Sequence, residues 1–200
     1  MSGLRNRDLH GNVPDNAAIA LILIDVINDL AFDDGPRLLK HALPMAKQLA
    51  ALKKRAKLAG IPSIYVNDNF GRWQSDFHKL IEHCLTEDVC GKPLVTLLRP
   101  AEDDYFVLKP KHSGFYSTTL DLLLAYLGAK TLILTGIAGN ICVLFTANDA
   151  YMRDYHLVVP ADCVASNTPK ENKEALALMQ KVLKADIRPS PELDFQQLCA

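Results

Sequence analysis

The stretch Thr131-Leu-Ile-Leu-Thr-Gly-Ile-Ala-Gly-Asn-Ile-Cys-Val-Leu-Phe-Thr-Ala-Asn-Asp-Ala150 decides how this chain is read. Thr131 to Thr135 is a short apolar, β-branched run, the pattern of a buried strand. Small residues from Gly136 to Asn140 then form an elbow. From about Ile141 to Tyr155 the spacing predicts a helix, and its apolar opening, Ile141 to Phe145, predicts burial nearly all round. Cys142 therefore falls in the first turn of a helix, just beyond the carboxyl end of a strand. Unpaired backbone N–H groups and the positive end of the helix dipole favour thiolate over thiol there. A buried structural cysteine is the other reading of Cys142 taken alone, because free cysteine is among the most buried residue types.

Upstream, Ala17 to Asp25 is a continuous apolar run ending on an acid, read as a strand covered on both faces. Leu38 to Ala59 has helical spacing, with Pro44 a candidate break, and stops at Gly60-Ile-Pro62. Ser63 to Asn67 is a second strand, followed by the loop Asp68-Asn-Phe-Gly-Arg-Trp73. Asp76 to Leu85 reads as a short helix and Cys90 to Ala101 as irregular. Tyr105 to Lys109 is a third strand ending on a lysine. The loop Lys109 to Tyr116 leads to a helix from Thr118 to Leu127. Downstream, His156 to Pro160 is a fifth strand. Thr168-Pro-Lys-Glu171 is a capping box opening a helix to about Lys184, and Ala185 to Arg188 reads as a short sixth strand. Strands alternating with helices predict a doubly wound, mostly parallel six-stranded sheet with helices on both faces, a Rossmann-like three-layer sandwich. One α/β domain is expected over residues 17–200, after a polar arm over 1–16.

Composition agrees with that class. The chain has 200 residues, is 49% hydrophobic and carries a formal charge of -1. That describes one globular core and gives no reason to expect nucleic acid or an anionic membrane as partner. Apolar runs are far shorter than the ~20 residues of a membrane span, and the first residues lack the apolar core of a signal peptide. Five cysteines (Cys84, Cys90, Cys142, Cys163, Cys199) fit neither a disulfide framework nor a paired zinc pattern, so a reducing cytoplasm is the expected home.

Three segments now end on reactive groups: Asp25, Lys109 and, past the elbow, Cys142. With strand order 3-2-1-4 near the sheet centre, Asp25 and Cys142 meet at the switch point, where open α/β sheets put their ligands. A four-carbon stem lets Lys109 reach the same crevice. Ile-Leu-Ile-Asp25, Lys109-x-x-x-Ser113-Gly-Phe115 and Gly136-Ile-Ala-x-x-x-Cys142-Val-x-x-Thr146-Ala-x-Asp149-Ala150 together resemble the isochorismatase-like (cysteine hydrolase) superfamily, over about residues 18–168. The resemblance implies a six-stranded parallel sheet, a catalytic Asp25–Lys109–Cys142 triad, a cis peptide between Ile137 and Ala138, and a homo-oligomer, dimer or tetramer.

The chemistry expected of such a trio is hydrolysis of a small amide, ureide or carbamate. Asp25 takes the thiol proton, Cys142 attacks the carbonyl, and the N–H groups of Ala138 and Cys142 hold the oxyanion. Asn28, Phe32, Phe70, Trp73, Phe115 and Ile141 are candidate pocket residues, lying in or beside loops at carboxyl strand ends. Nicotinamidases of the superfamily carry an Asp-x-His…His metal arrangement after the second strand. Here that loop reads Asp68-Asn69-Phe70, so neither a metal nor another cofactor is expected, and His78 and His83 are read as helix-surface residues. Two other readings stand beside the amidase. Isochorismatase-type vinyl-ether hydrolysis uses the aspartate and lysine but leaves the cysteine no role. A non-catalytic phospho-acceptor or binding domain, with Asp25, Asp29 and Lys109 at strand ends, leaves both Cys142 and its elbow unexplained.

Overall fold

The computed structural model describes residues 16–70 and 76–198. Most of the expected N-terminal arm, with Trp73 and Cys199, lies outside them. Six strands form one sheet: β1 (Ile19–Ile24), β2 (Ser63–Asp68), β3 (Tyr105–Lys109), β4 (Thr131–Ile137), β5 (His156–Val158) and β6 (Val164–Ala165). Every pairing is parallel, in the order β3-β2-β1-β4-β5, with β6 added to the far end of β4. All six residues of β1 and all seven of β4 are buried. That is why their sequences are unbroken apolar runs rather than alternating ones.

The pleat divides β1 between two cores. Ile19, Leu21 and Leu23 face the layer of α1 (Gly35–Leu58), α2 (Phe77–Thr86) and α3 (Lys92–Leu97). Ala20, Ile22 and Ile24 face the layer of α4 (Leu120–Leu127), α5 (Leu144–Tyr151) and α6 (Pro169–Leu183). A last short helix, α7 (Phe195–Leu198), ends the described chain. The three-layer arrangement is the expected one, including the central order of strands.

Local chemistry explains the element ends. Thr168 caps the helix as expected, accepting from the Glu171 N–H at 3.1 Å, and its hydroxyl donates to the Glu171 carboxylate at 2.7 Å. Gly128 closes α4 in a left-handed conformation, φ 73°. Four expectations are corrected. Pro44 lies inside α1 without ending it, since the helix runs on to Leu58 with Met45, Ala46, Leu49 and Leu52 buried. Lys92–Leu97, read as irregular, is a helix opened by Pro93. The sixth strand is Val164–Ala165; the segment from Ala185 makes only a bridge from Asp186 to Val158. The helix after the elbow is shorter than expected and begins with a turn of π-helix, Gly139–Val143, before α5. Its outer face is open, with Ile141 39%, Phe145 52% and Tyr151 45% exposed, so burial all round does not hold. Among the described residues no helix is long and apolar enough to cross a membrane.

Candidate active site

The register of the sheet builds the site. Ile24 pairs with Gly136, and Asp68 pairs with Lys109, so the ends of four adjacent strands lie along one edge. Asp25 follows β1 directly. Its N–H donates to the Val66 carbonyl at 2.9 Å and its backbone turns to φ 52°, a left-handed conformation that aspartate tolerates better than most residues. Gly136 is required where β4 leaves the sheet: φ is 109°, and a Cβ there would sit 2.1 Å from the Ile24 carbonyl oxygen. The peptide bond between Ile137 and Ala138 is cis. The Ala138 carbonyl accepts from the N–H groups of Ile141 and Val143 at 3.0 and 3.2 Å, which winds the wide turn carrying Cys142.

The side chains meet. Lys109 Nζ lies 2.9 Å from Asp25 Oδ2 and 3.6 Å from Cys142 Sγ. Asp25 Oδ1 accepts from the Asp68 N–H at 2.7 Å, and the Asp68 carboxylate stands 3.6 Å from the same lysine. Lys109 is 0% exposed and Asp25 6%. Burial pulls the Lys109 ammonium down, but Asp25, Cys142 and Asp68 outweigh it, and the lysine stays cationic with its pKa raised. Burial raises the Asp25 carboxyl against the opposing pull of Lys109 and the hydrogen bonds from Cys142 and the Asp68 N–H. The Cys142 thiol is pushed up to about 12, by burial first and the Asp25 charge second. Burial and the Asp25 charge thus oppose the pull of the helix start towards thiolate at Cys142, and a base alongside the sulfur eases its ionisation.

Hydrogen bonds clamp the loop after Lys109 to the turn bearing the sulfur. The buried Thr146 hydroxyl donates to the Cys142 carbonyl at 2.7 Å and accepts from the Gly114 N–H at 3.0 Å. Ser113 donates to the Asp149 carboxylate, which Arg153 also contacts at 3.6 Å. Ser113, Thr146 and Asp149 all stand in the sequence motifs, yet nothing local assigned them this tethering work. His112, also not anticipated, has its Nδ1 3.9 Å from the sulfur.

The expected pocket residues separate. Phe32, Phe70 and Ile141 are 47%, 43% and 39% exposed near the strand ends. Asn28 spends its side-chain oxygen on the Leu30 N–H at 2.8 Å, a turn contact. Phe115 is a correction: it is 5% exposed, its ring packed near Tyr155 and under the Arg153 guanidinium, so it belongs to the core. Trp73 lies outside the described residues. His78 is an exposed surface residue, whereas His83 bridges Asp29 and Glu87 at 3.2 and 3.3 Å. Among the described residues, no group of three or more His, Cys, Asp or Glu side chains is arranged to hold a metal ion.

A family model, the Isochorismatase domain, matches residues 19–187. The chain belongs to the isochorismatase family of hydrolases. The uncharacterized isochorismatase family protein YaaI of Bacillus subtilis is 44% identical over 174 residues, spanning 87% of this chain and 95% of that protein. The ureidoacrylate amidohydrolase RutB of Methylorubrum extorquens is 29% identical over 185 residues, spanning 80% of this chain and 75% of its own. Among solved structures, the N-carbamoylsarcosine amidase from Thermoplasma acidophilum matches with a TM-score of 0.69 at 28% identity, covering 88% of this chain and 98% of the amidase.

Proposed function

We propose that this isochorismatase-family protein hydrolyses the C–N bond of a small amide, ureide or carbamate through a thioester on Cys142. The observation that carries the reading is one ammonium, Lys109, 2.9 Å from the Asp25 carboxylate and 3.6 Å from the Cys142 sulfur. A raised carboxyl is the better base, and a thiol held near 12 requires one. The relatives named for amide-bond hydrolysis favour the same reaction class.

Asp25 accepts the Cys142 proton as the sulfur attacks the carbonyl carbon. Lys109, cationic throughout, stabilises the sulfur's developing charge. The carbonyl oxygen takes up the electron pair and is held by the N–H groups of Ala138 and Cys142; one such donor is worth ~3–4 kcal/mol in other enzymes. As the C–N bond breaks, Asp25 returns its proton to the departing nitrogen. Water then gives a proton to Asp25 and attacks the thioester, the C–S bond breaks, and Asp25 reprotonates the sulfur. No step uses a cofactor. The small-molecule substrate enters from the exposed side, beside Phe32, Phe70 and Ile141. A homo-oligomer and a reducing compartment complete the reading; the cysteines Cys84, Cys90, Cys142 and Cys163 are all free.

The test is ammonia release across a panel of small amides, ureides and carbamates. Turnover of at least one substrate by the wild type and none by Cys142→Ala, with the fold intact by circular dichroism, is the expected result. Undiminished ammonia release by Cys142→Ala would remove the thioester and leave a cysteine-independent C–N hydrolysis in its place.

A further inference from the structure

The Cys142 sulfur has a neighbour that the triad does not employ. His112 sits exposed on the loop after β3, its Nδ1 3.9 Å from Sγ. Asp25 and Lys109 approach the same sulfur from the buried side, so the imidazole flanks it from the solvent side. The ring is braced against Phe145, centroids 5.4 Å apart, and Phe145 is itself 52% exposed. Two rings from separate elements, the post-β3 loop and α5, thus form an open wall beside the nucleophile. Thr146 and the Ser113–Asp149 contact hold those elements together immediately beneath.

A tetrahedral carbon bonded to Sγ carries three further substituents. In the reaction proposed above, the oxyanion faces the N–H groups of Ala138 and Cys142, and the departing nitrogen faces Asp25. The third substituent, the acyl portion retained on the enzyme, is left with the open side, where His112 and Phe145 stand. The geometry points to His112 as a substrate-binding residue that donates a hydrogen bond to an oxygen of the retained acyl group, while Phe145 covers that group's apolar face. The inference rests on the thioester reading and narrows its substrate class: small amides, ureides or carbamates whose acyl portion bears a carboxylate or carbonyl oxygen close to the scissile carbonyl.

Alkylation of Cys142 tests this without a known substrate. Iodoacetate and iodoacetamide each place an acceptor oxygen beside the sulfur, as the acyl group would; methyl methanethiosulfonate adds only a methylthio group. Rates at Cys142 are followed by peptide mass spectrometry in the wild type, in His112→Phe, which keeps a ring against Phe145, and in His112→Gln, which restores a donor. In His112→Phe, labelling by both iodo reagents should slow about three- to ten-fold, the size of one hydrogen bond, while methylthiolation stays within about two-fold. His112→Gln should recover most of the loss. Slowing by iodoacetate alone supports the inference and restricts the acyl group to carboxylates. Equal slowing with all three reagents would mean that His112 acts on the sulfur itself, and no slowing would mean that it contacts nothing; either result overturns the inference. Both stand apart from the Cys142→Ala ammonia assay, which tests the thioester reading alone.

Discussion

Lys109 and Asp25 form a charge pair, Nζ to Oδ2 2.9 Å, with side chains 0% and 8% exposed. Taking two charges out of water is costly, and removing one partner of such a pair leaves the other uncompensated, at about 3–5 kcal/mol. Asp25→Asn and Lys109→Met should each lose stability on that scale. The double substitution should lose clearly less than the sum, because it leaves no orphan charge. Urea-unfolding midpoints measure all three. Singles within about 1 kcal/mol of wild type would mean the pair is far better solvated than its burial indicates.

The pH dependence of the reaction follows from the same pair. In the proposed reaction Asp25 must be ionised to accept the thiol proton, and burial raises its carboxyl above the ordinary 3.8. Activity should therefore fall as pH falls, with a kcat/KM midpoint above 3.8 that belongs to the coupled site rather than to one residue. The thiol lies near 12, so iodoacetamide labelling of Cys142 in the free enzyme should climb steadily from pH 7 to pH 10. A labelling plateau below pH 8 would indicate a resting thiolate and remove the need for Asp25 as base.

Stability should also weaken in alkali. Burial raises Cys84, Cys142 and Cys163 from 9.0 to about 12 each. A thiol whose folded pKa exceeds its unfolded one keeps its proton longer in the folded state. Its stabilisation is complete below about 9 and is lost as pH rises towards 12. Urea midpoints should hold level up to pH 8.5 and decline beyond it. The decline should be shallower in Cys84→Ala/Cys163→Ala, whatever its starting stability; an identical slope would assign the effect to other groups.

Much of this was legible in the sequence because parallel-sheet burial writes itself into composition. β1 and β4 are apolar on both faces, and the acid, lysine and cysteine that end three segments stand out against such runs. What escaped was whatever the spacing of apolar residues does not encode. Val164–Ala165 is too short to carry a period of two, whereas Ala185–Arg188 resembles a strand but pairs only through Asp186. The π turn at Gly139–Val143 is wound by the Ala138 carbonyl, and an apolar spacing cannot distinguish it from an α-helix. At Cys142 a helix start favours thiolate locally, while burial and Asp25, brought from more than a hundred residues away, push the thiol up.

Gly136 separates backbone strain from steric conflict when compared with Gly60. Both have positive φ, 109° and 74°, but a Cβ on Gly136 would meet the Ile24 carbonyl oxygen at 2.1 Å, while Gly60 has open space within 4 Å. Gly60→Ala should cost about 1–2 kcal/mol of stability and leave activity intact. Gly136→Ala should cost more and also lower kcat, since β4 cannot back away from Ile24 without moving the elbow that carries Cys142. Equal losses in the two variants, by urea midpoint and by ammonia release, would contradict the close approach of β4 to β1.

Thr146 offers the sharpest test of how the site is held. Its hydroxyl is buried, gives its proton to the Cys142 carbonyl at 2.7 Å and receives the Gly114 N–H at 3.0 Å. Valine fills the same volume but strands that N–H, at a cost of about 1–3 kcal/mol, and frees the Lys109 loop from the turn bearing Cys142. Thr146→Val should lower stability by that amount and kcat by about ten-fold or more, since small misplacements of reacting groups are expensive. Thr146→Ser keeps the hydroxyl and should restore kcat while remaining slightly less stable through the lost methyl. A Thr146→Val enzyme with normal kcat at reduced stability would show that Cys142 and Lys109 are positioned without the clamp, by the sheet edge alone.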